Sequence, residues 1–327
     1  MSIMFIGGFQ KNTLIDFPGE IASLVFTQGC NFRCPYCHNP LLVPMATPGH
    51  KNQVLSKYPV LSQDRELSKE PVSSQDRELS KEPVSSQNRF LPKERCLHLE
   101  PVDEQEILSF LKKRRGLIDG VAITGGEPTL QEDIDDFCFK VKNLGFKVKL
   151  DTNGSRPHVI ANLLKRKLVD FVAMDVKSGI EGYRYLGPGN LNISEITRSI
   201  GLIIDLAPSH EFRTTCVRPF VTPSTMDEIL DMIQGASSYV LQHFSPNAEI
   251  LDPDFFKNNS QGYLQKSSQE YLKNSSQGYL KNTSQGYLKN SFQGYPRDHG
   301  SIQLCIEEEI DIFQGMARQR GVPCTVR

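Results

Sequence analysis

The chain has 327 residues, enough to bury a sizeable core, and 38% of them are hydrophobic. Its 37 Lys and Arg against 38 Asp and Glu leave a formal charge of -1, which argues against a general electrostatic binder of nucleic acid. No run of 18 apolar residues occurs, and residues 1–10 lack the basic and apolar regions of a secretory signal, so a membrane or secreted protein is not expected.

The predicted elements alternate along the chain. Ile21–Thr27 is a short apolar run that reads as a buried strand. Residues 61–96 then hold three twelve-residue units, LSQDRELSKEPV, SSQDRELSKEPV and the degraded SSQNRFLPKERC. This tract balances seven basic against seven acidic residues and has almost no aromatics, so disorder is expected. Helical spacing follows over Val102–Arg115, and Gly120–Thr124 is a second strand. Leu130–Asn143 reads as a helix stopped by Gly145, and Phe146–Thr152 as a third strand. His158–Arg166 is a helix, Val169–Val176 a strand, Ile193–Leu206 a helix and Glu211–Val217 a strand. Ser224–Gln234 is a helix with Ser224 as its expected N-cap, and Tyr239–Phe244 is the sixth strand. Residues 257–296 hold five eight-residue units such as KNSSQGYL, each with a Tyr. Basic charge interleaved with aromatics can bind nucleic acid or protein. A tandem expansion in a tolerant surface loop explains the tract more simply. Glu307–Arg320 is the last helix.

Setting both tracts aside leaves roughly 250 residues, which favours one domain over 1–327 with two low-complexity loop insertions. Six strand–helix steps give an α/β fold with a parallel sheet, either open and doubly wound or a partial barrel. In both, ligands sit at the carboxyl ends of the strands.

The chemistry-bearing motifs fall at those ends. Cys30, Cys34 and Cys37 follow the first strand in the order Cys-x3-Cys-x2-Cys. The absence of a secretory signal implies a cytoplasmic setting, where such cysteines point to metal or redox chemistry before disulfides. Three thiolates can hold three corners of a [4Fe–4S] cluster, whereas an electron-transfer cluster normally uses four. The missing fourth ligand leaves one iron open for chemistry. Zinc held by the three cysteines and His38 is the competing reading, although adjacent Cys37 and His38 share a tetrahedron awkwardly. Gly125-Gly126-Glu127-Pro128 ends the second strand, where glycines allow close backbone approach and Glu127 offers an acceptor to an ammonium group. Asp151-Thr152-Asn153-Gly154 and Asp175-Val176-Lys177 end the third and fourth strands. Their acids can hold a cation, or cap the turns that follow. Arg213 on the fifth strand and Gln242 and His243 on the sixth can face the same mouth. Cys96, Cys138, Cys216, Cys305 and Cys324 show no ligand spacing and read as core or surface thiols.

The cysteine triplet, with aromatic Tyr36 before its last member, resembles the radical S-adenosylmethionine (SAM) superfamily. The resemblance implies a partial (β/α)6 barrel. It also implies a [4Fe–4S] cluster on Cys30, Cys34 and Cys37, with Tyr36 beside the adenine of SAM. Gly125, Gly126 and Glu127 would meet the SAM amino group. Asp151, Thr152 and Asp175 would lie near SAM, with a possible monovalent cation at the acids. Gly8 to Gly19, Phe26 to Gly29, Cys37 to Pro40, Arg115 to Gly120, Thr124 to Gln131 and Leu241 to Phe244 are together similar to activating proteins of anaerobic ribonucleoside-triphosphate reductase. The two tracts and His243-Phe244-Ser245 depart from that pattern. The activity implied is reductive cleavage of SAM to a 5′-deoxyadenosyl radical that takes a hydrogen from a glycine Cα of the reductase. A flavodoxin- or ferredoxin-like electron donor and a protein-docking face near the barrel mouth are implied with it. Activation of another glycyl-radical enzyme, such as pyruvate formate-lyase, and radical SAM chemistry on a small molecule are the alternatives. A zinc-binding regulatory protein without catalysis is the reading from a different class.

Overall fold

The structure is a computed structural model and describes residues 4–44, 102–187, 191–245, 249–252, 254, 305 and 307–327. The chain divides into two units, Met1–Ala46 with Leu99–Arg327, and Thr47–His98. The second unit, the tracts 61–96 and 257–296, and Cys96 lie outside the described residues.

Eight strands form one sheet in sequence order: β1 (Ile6–Thr13), β2 (Ala22–Thr27), β3 (Gly120–Gly125), β4 (Lys147–Thr152), β5 (Phe171–Asp175), β6 (His210–Cys216), β7 (Tyr239–His243) and β8 (Cys324–Val326). β1 runs antiparallel to β2, and every later pair is parallel. β8 does not pair with β1, so the sheet stays open, as a partial barrel requires. Helices fill the connections: α1 (Glu104–Lys113), α2 (Ile134–Asn143), α3 (Pro157–Lys165), α4 (Ile193–Leu206), α5 (Pro223–Met232) and α6 (Glu307–Gln319). The tract 61–96 therefore lies between β2 and α1, and 257–296 between β7 and α6.

Strand β2 is buried along nearly all its length because parallel strands are covered on both faces. Successive residues of a strand point to opposite faces. Val148 and Leu150 of β4, Val172 and Met174 of β5, and Phe212 and Cys216 of β6 join the apolar core. The alternate face of the same strands carries Lys149, Asp151, Asp175 and Arg213. The register sets Thr27 beside Gly125, Thr152 beside Met174, and Asp175 beside Arg213, so the carboxyl ends form one edge.

The structure corrects three expectations. Among the described residues there are eight strands rather than six. β1 hid behind two glycines and the polar run Gln10-Lys11-Asn12, and β8 is only three residues long. Helix α2 starts at Ile134, not Leu130, because Pro128–Leu130 forms a 3-10 turn held by the Glu127 side chain. The N-cap of α5 is Thr222, not Ser224. Thr222 and Thr225 form a reciprocal capping box, and Pro223 takes the first helical position, where no N–H is needed.

Candidate active site

The cysteine loop leaves β2 and is fastened to its surroundings by backbone bonds. Gly29 N donates to Leu42 O at 2.8 Å, Cys30 N to Val43 O at 3.0 Å, and Asp252 N to Pro35 O at 2.9 Å. The turn after β3 joins it through Gly126 N to Thr27 O and Glu127 N to Gly29 O, both 2.8 Å. A third clamp is Gln131, whose amide accepts from Phe5 N and donates to Gln28 O, both at 2.8 Å. Phe32, Cys34 and Tyr36 are buried, while Cys30 and Cys37 are partly exposed.

Burial pushes the Cys34 thiol up to about 12. Burial and then the Glu127 carboxylate push Cys30 up to about 11. Burial likewise raises Cys37. Such thiols ionise when a cation binds and offsets the desolvation. Among the described residues, no three His, Cys, Asp or Glu side chains surround one ion-sized position. A cubane differs from a lone ion because each thiolate takes a separate iron, so its ligands stand apart. Two N–H groups, Phe32 N at 3.4 Å and Asn153 Nδ2 at 3.9 Å, point at Cys30 Sγ. Three sulfurs with donors aimed at one of them fit an iron–sulfur cluster.

Glu127 is fully buried. Its Oε1 accepts from Thr129 N at 3.1 Å, from the Thr129 hydroxyl, and from Thr152 Oγ1 at 2.8 Å. Its Oε2 accepts from Asn153 N at 2.6 Å. Burial raises its carboxyl, against the pull of these bonds. The residue thus ties the end of β3 to the end of β4. Thr152 spends its hydroxyl there and also accepts from Gly154 N at 3.1 Å.

The structure places a guanidinium between the two acids. Asp151 pairs with Lys149 through Oδ1 and with Arg213 Nη1 through Oδ2 at 3.3 Å. Asp175 pairs with Arg213 Nε through Oδ1 at 2.7 Å and with Lys177 Nζ through Oδ2 at 2.8 Å. All four carboxylate oxygens already face a side-chain cation, where a monovalent ion was the sequence expectation. Burial disfavours the charge on Asp175, but Arg213 and Lys177 overcome it and hold the carboxyl well below the usual range. Its stability contribution is therefore present above about pH 4 and is lost as pH falls toward the folded value. Arg213→Met should lower stability at neutral pH by about 2 kcal/mol, because it removes one charged hydrogen-bond partner from each of two largely buried acids, which keep Lys149 and Lys177. The melting temperatures of variant and parent should converge below about pH 4. Parallel curves across that range would mean the pairing contributes nothing.

Tyr36 packs its ring 5.0 Å from Phe220 and donates its hydroxyl to Lys177 O at 3.3 Å. His38 lies 4.8 Å from Phe244, with its pKa lowered by burial and by Lys177. Gln242 sits on β7 beside Thr215. His243 is exposed and faces Glu307 of α6 at 3.9 Å, away from these groups. Cys138, Cys216 and Cys305 are buried thiols. Sequence reasoning missed Lys149, which is 1% exposed. Its signal was a charged residue at an inward-facing position of a buried strand.

The model of the radical SAM superfamily matches residues 24–236. The chain belongs to the radical SAM superfamily. Its enzymes use a [4Fe–4S] cluster and SAM, and this chain is an enzyme of that class. A protein of Methanocaldococcus jannaschii, provisionally named a glycyl-radical enzyme activating enzyme, is 28% identical over 258 residues, covering 77% of this chain and 84% of its own length. An S-adenosylmethionine-dependent nucleotide dehydratase from a Thermoplasmatales archaeon is 38% identical over 65 residues, 23% of its length. Among solved structures, a radical SAM methyltransferase from Sphaerobacter thermophilus aligns with 97% of this radical SAM chain and 68% of its own, at 12% identity and a TM-score of 0.49. SuiB of Streptococcus suis bound to S-adenosylmethionine aligns at 10% identity and a TM-score of 0.43, over 71% of this chain. The chain spans 45% of SuiB. Among the described residues, no helix is long and apolar enough to cross a membrane.

Proposed function

We propose that this enzyme activates a glycyl-radical enzyme, and that its target is an anaerobic ribonucleoside-triphosphate reductase. The observation that carries activation is the match to the Methanocaldococcus jannaschii relative, because it runs through 84% of that protein rather than one motif. The reductase as target rests on the similarity of Gly8 to Gly19 and Thr124 to Gln131 to activators of that enzyme. Cys30, Cys34 and Cys37 would hold the cluster, which when bound supplies one electron to cleave SAM and start hydrogen abstraction from a glycine Cα.

The chain's own residues perform the rest. Gly126 lets the β3 turn lie against Gly29, next to the first ligand. Glu127 fixes the β4 turn beside the same ligand. Asp151, Asp175, Lys177 and Arg213 form a rigid charged set on the same edge, suited to orienting a zwitterionic amino-acid moiety. Tyr36 and Phe32 close the loop's inner side against water. A glycine suits the target because its Cα has no side chain to obstruct approach.

The decisive test is an anaerobic EPR spectrum of reconstituted protein with reductant, SAM and the host's anaerobic ribonucleotide reductase. A glycine-centred doublet on the reductase is expected. A SAM-perturbed cluster signal without the doublet would transfer the activity to another substrate. Cys34→Ala should abolish formation of 5′-deoxyadenosine, read by chromatography, while Cys324→Ala should leave it intact. Full cleavage by Cys34→Ala would remove the cluster assignment.

A further inference from the structure

We infer that Asn153 sets the reduction potential of the cluster by donating a hydrogen bond to the Cys30 sulfur, an inference that rests on the cluster reading above. The amide of Asn153 is held from both ends. Its Oδ1 accepts from Ser155 N at 2.9 Å, so its Nδ2 must be the atom facing the cysteine loop. That nitrogen carries two protons, and two acceptors stand before it, Asn31 Oδ1 at 3.0 Å and Cys30 Sγ at 3.9 Å. The backbone of Asn153 is fixed in turn, because its N–H donates to Glu127 Oε2 at 2.6 Å. Asn31 is anchored through its own Nδ2 to Ser155 Oγ at 2.9 Å. The β4 turn therefore grips the loop around Cys30 and aims one proton at its sulfur.

A bound thiolate accepts such a bond better than a thiol. Adding one electron makes the cluster and its sulfurs more negative, so a donor stabilises the reduced state more than the oxidised one. Hydrogen bonds to cluster sulfurs are among the levers that place the potential. Asn153 thus makes the one-electron reduction easier for a given external donor. The second N–H on Cys30, from Phe32, belongs to the backbone and is common to any side chain at that place.

The test is a reductive titration of the reconstituted full-length protein, with the cluster followed by EPR. Asn153→Asp keeps the acceptor for Ser155 N but removes the donor, and Asn153→Leu removes both. Both variants should show a more negative midpoint, the aspartate the more so. An unchanged midpoint at parental iron and sulfide content would overturn the inference. If either variant fails to take up the cluster, the unmutated protein decides. Labelled with 15N only at asparagine side chains, it should show a nitrogen coupling to the reduced cluster in pulsed EPR, and its absence overturns the inference. No iron–sulfur signal in the unmutated protein would instead remove the cluster reading itself.

Discussion

Gly126→Ala should leave the protein unable to load a full complement of iron and sulfide. A Cβ built at Gly126 would stand 2.1 Å from Gly29 O, 2.6 Å from Gly29 C and 2.9 Å from Leu42 O. All three are backbone atoms, so no side chain can rotate aside. They are also held in place, since Gly29 O accepts from Glu127 N and Leu42 O from Gly29 N. The methyl group must push the two turns apart, and the residue pushed is the neighbour of Cys30. Overpacking of this kind costs about 3 kcal/mol. Gly145→Ala is the contrast. Gly145 has φ +92° but nothing within 4 Å of the added methyl, so only backbone strain remains, about 1 kcal/mol. For a domain of this size each kcal/mol moves the melting temperature by roughly 3 °C. Gly126→Ala should therefore fall furthest in both stability and iron content, and Gly145→Ala should keep its iron. Equal iron and sulfide in the two variants would contradict the close approach of the turns.

Glu127→Ala should destabilise the fold before it affects any ligand. Removing the carboxylate leaves the amides of Thr129 and Asn153 and two hydroxyls without their acceptor in a buried place. Each stranded buried donor costs about 1–3 kcal/mol, so a total loss above about 3 kcal/mol is expected. Glu127→Gln is nearly isosteric but offers one oxygen instead of two, so an NH2 must face a donor on one side. It should fall between parent and alanine. Thermal melting alongside equilibrium SAM binding distinguishes two roles. A carboxylate that only meets the SAM amino group would show lost binding at unchanged stability. The buried tie between the ends of β3 and β4 requires the melting temperature to fall in the protein without SAM.

The strand–helix alternation was legible because β2 to β7 are short apolar runs between amphipathic helices with ordinary caps. The cysteine triplet and Gly-Gly-Glu-Pro were legible because their residue types are rare at such spacing. Four things were not. Edge strands β1 and β8 are half solvated, so they carry little apolar pattern. The pairing of Asp151 and Asp175 with Lys149, Lys177 and Arg213 joins three strands, and no local window contains it. Glu127 reads in sequence as an acceptor for an ammonium group, because nothing near it announces that Thr152 and Asn153 will consume its oxygens. Asn153 stood inside a recognised motif, yet its reach to Cys30 depends on a register that only the folded sheet supplies.

Both repeat tracts fall between described elements of the chain, one between β2 and α1 and the other between β7 and α6. Neither tract contributes a residue to the described strands, so a gained or lost unit of twelve or eight residues leaves every strand's own sequence intact. Where a segment only links its ends, closure entropy grows logarithmically with length, and doubling it costs about 0.6 kcal/mol. Neither tract contains Cys30, Gly126, Glu127 or Asn153, so tract length is a poor guide to whether two such chains share a reaction.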